Sequence, residues 1–122
     1  MDVEVVNKDK YILFRINDHL KVHNCQGLKA IFTSNLEEGC DHVLDFSEVV
    51  SIDEVGVCCL FYCLDQAKKL GSTLYIYNAV GYVKKILQVT NCYNHFLVVD
   101  HLNLDEFKKD SSDYEETIRK VA

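Results

Sequence analysis

Asp45-Phe46-Ser47-Glu48-Val49-Val50-Ser51-Ile52-Asp53-Glu54-Val55-Gly56 is the stretch on which the fold turns. A strand is expected to end near Phe46, a loop follows, and Asp53 stands where a helix begins. Its carboxylate can accept from the free amides of the first turn, while Glu54 places negative charge at the positive end of the helix dipole. The ten residues Val55 to Leu64 that follow carry no charge. A helix lying on a sheet needs one apolar stripe. Val57, Leu60, Phe61, Leu64 and Ala67 supply it, leaving Val55, Cys58, Cys59, Tyr62 and Cys63 around the remaining surface. An apolar outer face beside a loop marks a partner surface unless neighbouring helices cover it.

Working outward, short β-like runs alternate with helical patterns. Val3 to Val6 and Tyr11 to Ile16 read as strands joined by the polar turn Asn7-Lys8-Asp9-Lys10. Leu28, Ile31, Phe32 and Leu36 recur at helical spacing, with Gly39 as a left-handed cap. Val43 to Phe46 is a third strand, residues 54 to 70 a helix closed by Lys68-Lys69-Leu70-Gly71, and Thr73 to Tyr77 a fourth strand. Tyr82, Val83, Ile86, Leu87 and Thr90 outline another helix, and Phe96 to Val99 a fifth strand. A last helix is expected from Asn103, with Ser112-x-x-Glu115 as a capping box. The order β-β-α-β-α-β-α-β-α implies an α/β fold: a mixed sheet of four to five strands with about four helices, one domain over residues 1–122.

Composition bounds the function. Thirteen Lys and Arg against 19 Asp and Glu give a net charge of −6 over 122 residues. The basic residues gather only in pairs such as Lys84-Lys85, so nucleic acid is not an expected partner. No run of 18 apolar residues occurs, and the first residues lack the start of a signal peptide. The expectation is a cytoplasmic protein with no membrane insertion. Six cysteines at 25, 40, 58, 59, 63 and 92 then read as reduced, mostly buried thiols. They form no C-x-x-C; Cys59 with Cys63, and Cys40 with His42, are pairs without an assignable partner, so no metal is expected. His19, His23, His42, His95 and His101 read as scattered surface or loop-end residues. No convergent titratable groups and no glycine-rich phosphate loop point to an enzyme or a cofactor.

The segment D-x-S-x-V-x-x-I-D-x-x-G, the apolar helix ending Ala67-Lys68-Lys69-Leu70-Gly71, the strand Leu74-Tyr75-Ile76-Tyr77-Asn78 and the later Val83-Lys84-Lys85-Ile86-Leu87 together resemble a STAS domain. That is the fold of bacterial anti-sigma factor antagonists and of the regulatory tails of sulfate transporters. The resemblance runs from about Tyr11 to Val99. It implies protein binding rather than catalysis, with a kinase-type anti-sigma factor or another protein as partner, or else a place as the STAS subunit of a transport-ATPase or stress-signalling assembly. It also implies a switch: in the antagonists a loop motif I-D-S-S-G is phosphorylated on its second serine, and a phosphate adds about −1.5 to −2 of charge at the interface.

This chain departs from that pattern where it matters. The two serines match Glu54 and Val55, so the acceptor position holds a valine with no hydroxyl. Ser47 and Ser51 remain in the loop outside that slot. Where the family often has Gly-x-Leu-Asp, this chain reads Asp18-His19-Leu20-Lys21. Lys21 facing Glu54 across the site is one expectation; two separate solvated charges is the other. The expected partner surface comprises Lys21, Asp53, Glu54, Val55, Gly56, Cys58 and Tyr62. The same apolar face could also serve a second copy, giving a homodimer.

Overall fold

Period-two patterns fall where strands form. The computed structural model describes residues 1–99. β1 (Val3–Asn7) and β2 (Tyr11–Ile16) make an antiparallel hairpin, with Val5 opposite Phe14. β3 (Asp41–Asp45), β4 (Leu74–Tyr77) and β5 (Leu97–Val99) then add in parallel, in the spatial order β1-β2-β3-β4-β5. Each parallel step is bridged by a helix: α1 (Cys25–Ser34), α2 (Glu54–Lys69) and α3 (Gly81–Val89), with a short 3₁₀ turn at Cys92–Asn94 before β5. Right-handed crossovers into successive neighbours put all three helices on one face of the sheet.

The main core lies between that face and the helices. Ile12, Phe14 and Ile16 of β2, Leu44 of β3 and Ile76 of β4 meet Leu28 and Phe32 of α1, Leu60 and Leu64 of α2, and Val83 and Leu87 of α3. Phe14 and Phe32 pack with ring centroids 5.0 Å apart. On the other face Val6, Tyr11, Leu13 and Val43 form a smaller cluster with Tyr75 and Tyr77.

Two helix ends are instructive. α2 closes as the sequence predicts: Gly71 is left-handed at φ +68°, its N–H donates to the Lys68 carbonyl, and that of Ser72 to Ala67. α1 does not reach the expected cap at Gly39. It stops at Ser34, because the Ser34 hydroxyl donates back to the Ala30 carbonyl and the Asn35 amide to Ile31. Gly39, at φ +83°, turns the chain into β3 instead. The helix expected from Asn103 and its capping box lie outside the described residues.

Candidate functional site

The site is built where two loops meet above the sheet. Asp53 is the N-cap of α2, in extended backbone, and its Oδ1 accepts from the Gly56 N–H at 2.8 Å. Its Oδ2 reaches across the molecule to accept from the Val22 N–H at 3.0 Å. The Leu20 N–H donates to the Ser51 carbonyl, and the Asp53 N–H to that of Leu20, so Leu20 and Ile52 pair like strand residues. The loop that enters α1 is thereby knitted to the loop that enters α2. Gly56 is what allows the approach: a Cβ there would lie 2.2 Å from the Leu20 carbonyl oxygen. The Gly56 N–H, then those of Val22 and Val55 and the nearby Lys21 charge, hold the Asp53 carboxyl below the usual range.

This frame turns a band of side chains outward. Val55 is 42% exposed and Tyr62 37%, with Glu54 and Cys58 exposed beside them on the same helix. Val22, 62% exposed, extends the apolar surface onto the neighbouring loop, and Val50 stands out from the loop after β3. On the α1 side Lys29 places its Nζ 5.1 Å from the Tyr62 ring centroid. The Thr33 and Tyr62 hydroxyls lie 3.5 Å apart. Gln26, Lys29, Ala30, Thr33, Ser34 and Tyr62 line an open groove between the two helices.

Several expectations change. Cys59 and Cys63 are fully buried rather than part of the outer face, because α1 packs beside α2 and widens the side it buries. Burial pushes the Cys25 thiol up to about 12; Cys63 is raised by its hydrogen bond with Cys59 and by burial. No ion pair joins Lys21 to Glu54 among the described residues; the lysine's charge acts on Asp53 instead. Cys40 and His42, the pair without an assignable partner, belong to no group of three or more possible metal ligands among the described residues. Both His42 ring nitrogens are occupied, Nε2 by the Glu37 N–H and Nδ1 by the Ser72 hydroxyl at 2.6 Å, and its pKa is lowered by burial.

Ser47 is tied down. Its hydroxyl donates to Asp45 Oδ1 at 2.5 Å and accepts from the Asn78 amide at 3.0 Å, while Arg15 Nε sits 3.3 Å from the other Asp45 oxygen. Ser51 is half-buried, its carbonyl held by Leu20. Reading α2 alone missed Lys29, Thr33 and Val22, since only the tertiary packing brings them alongside. It also missed that His19 and His23, read as unpaired, meet with their Nε2 atoms 2.6 Å apart. Their four-residue spacing was the available signal.

Comparison with known proteins bears on the family and the fold. The family model for the STAS domain matches residues 2–106. A Thermotoga maritima protein described as an anti-sigma factor antagonist has the same fold: TM-score 0.73, 19% identity, covering 97% of this chain and 94% of that one. The unphosphorylated anti-sigma factor antagonist SpoIIAA, a Bacillus cell fate determinant, superposes with TM-score 0.62 and 16% identity over 98% of this chain and 96% of its own. A sulfate transporter family protein from Wolinella succinogenes gives TM-score 0.68 and 20% identity, covering 82% and 84%. At these identities the likeness speaks for the fold. Among curated protein sequences none matches.

Proposed function

Because the chain belongs to the STAS domain family, we propose that it is a cytoplasmic, non-enzymatic binding module of the anti-sigma factor antagonist type whose docking face is not switched by phosphorylation at the usual slot. The partner is a protein, of the kinase-type anti-sigma class. The carrying observation is Val55: 42% exposed, in the first turn of α2, in the middle of the apolar band. A phosphate there would insert about two negative charges into that band, beside Glu54. With valine the surface stays apolar whatever kinase is present. Asp53, Gly56 and Lys21 position the turn; Glu54, Val55, Cys58 and Tyr62 meet the partner, with Lys29 and Thr33 at the rim.

The test is calorimetric titration of the purified chain against the anti-sigma kinases of its own host. Saturable binding is expected, weakened at least tenfold by Val55→Glu and by Tyr62→Glu, with thermal midpoints within a few degrees of the parent. Binding that ignores both substitutions would overturn the assignment of this face. Likeness to the Wolinella succinogenes transporter-family structure supports a second reading, a STAS subunit of a transport assembly using the same face. Binding to a transport protein, with none to the kinases, would select it.

A further inference from the structure

The loop that enters α1 carries two imidazoles that meet edge-on at the rim of the proposed docking surface. His19 Nε2 and His23 Nε2 are 2.6 Å apart, their rings 4.6 Å between centroids and inclined by 62°. Hydrogen bonds tie the loop around them. The Asn24 side chain accepts from the Lys21 N–H at 2.9 Å and donates to the His19 carbonyl at 2.6 Å. Asp53 fixes the Val22 N–H between the two histidines. Asp18 Oδ1 accepts from the His19 N–H at 2.8 Å and lies 3.4 Å from His19 Nδ1. The negative charge of that carboxylate favours a proton on Nδ1, the tautomer that leaves the Nε2 lone pair free for a metal ion.

We propose that His19 and His23 together bind a divalent transition-metal ion of the zinc class through their Nε2 atoms. Two imidazole ligands on a tetrahedral ion at about 2.0–2.1 Å stand about 3.3 Å apart, a widening that rotation of the exposed His23 ring supplies. Both rings bind neutral. In the free protein one Nε2–H faces the other nitrogen's lone pair; on metal binding that proton moves through water to the Nδ1 of its own ring, with no net gain or loss. Among the described residues no group of three or more His, Cys, Asp or Glu side chains could hold a metal ion, so water fills the remaining positions in the free chain. The ion would sit on the loop that presents Val22, beside the α2 cap.

Titration of Zn²⁺ into the full chain tests this, in a Cys40→Ser/Cys58→Ser background that removes the two cysteines left open to solvent. One-to-one binding is expected. It should weaken at least tenfold in His19→Gln and in His23→Gln, and about tenfold in Asp18→Asn, with metal-free thermal midpoints unchanged. Nitrogen NMR should show the His19 and His23 Nε2 signals moving together on zinc addition. Zinc binding that survives the His19→Gln/His23→Gln double substitution, or no binding by the parent, would overturn the proposal. No partner protein is involved, so either result leaves the docking face to be judged separately.

Discussion

Gly56 shows how a single atom can decide a site. The Leu20 carbonyl that receives the Asp53 N–H passes within 2.2 Å of where a Gly56 Cβ would stand. Backbone cannot swing away as a flexible side chain can. Gly56→Ala is therefore expected to destabilise by about 1–3 kcal/mol, read by urea unfolding, and to weaken partner binding even where the protein remains folded. Val55→Ala, one residue away and facing solvent, should change stability by no more than about 0.5 kcal/mol. Equal losses at the two positions would mean that the two loops are not locked as described. The glycine of the D-x-x-G pattern was visible in the sequence; its reason was not, because the atom it makes room for belongs to a residue 36 positions away.

At the scale of the element, α2 carries both core residues and the exposed band proposed for docking, and its three cysteines, with Cys25 of α1, report the division. Cys58 is exposed, whereas Cys25, Cys59 and Cys63 are buried with Cys59 Sγ 3.7 Å from the Cys25 carbonyl. Brief alkylation of the native protein with iodoacetamide should label Cys58 first by peptide mass spectrometry and leave Cys25, Cys59 and Cys63 unmodified until denaturant is added. Early labelling of Cys63 would put the outer face of α2 where the sequence first suggested. Sequence patterns identified the described strands and α-helices but not the 3₁₀ turn at Cys92–Asn94, because a two-residue or 3.6-residue repeat is a local property that a three-residue turn is too short to show. It set the outer face of α2 too wide, since how much of a helix is buried depends on what packs beside it. The end of α1 escaped for a related reason. Apolar spacing carried on to Leu36, but Ser34 and Asn35 had already used their side chains on the last carbonyls.

In the molecule as a whole, the histidine beneath the sheet's helical face links stability to pH. His42 is fully buried against the packed rings of Phe14 and Phe32, and burial lowers its pKa in the folded state below that of the unfolded chain. The unfolded state thus binds the proton more readily. The contribution of the neutral ring is complete above about pH 6.5, the unfolded value, and is lost as pH falls through the folded one. Urea midpoints should fall between pH 7 and pH 5, and His42→Gln should flatten that dependence; an unchanged slope would place His42 outside the acid response. The fold and the Asp53-capped turn that opens α2 could be read from the sequence, since they rest on patterns and one capped helix. The rim from α1 and the histidine pair could not, because they exist only once the loops are joined. The central claim is that this joined surface binds a partner without a phosphate switch, and the most direct measurement is intact mass and binding after incubation with an anti-sigma kinase and ATP. The account predicts an unchanged mass and undiminished affinity for the parent chain, and a gain of one phosphate with loss of affinity for Val55→Ser. A phosphopeptide spanning residues 47–56 from the parent, with release of the partner, would contradict it.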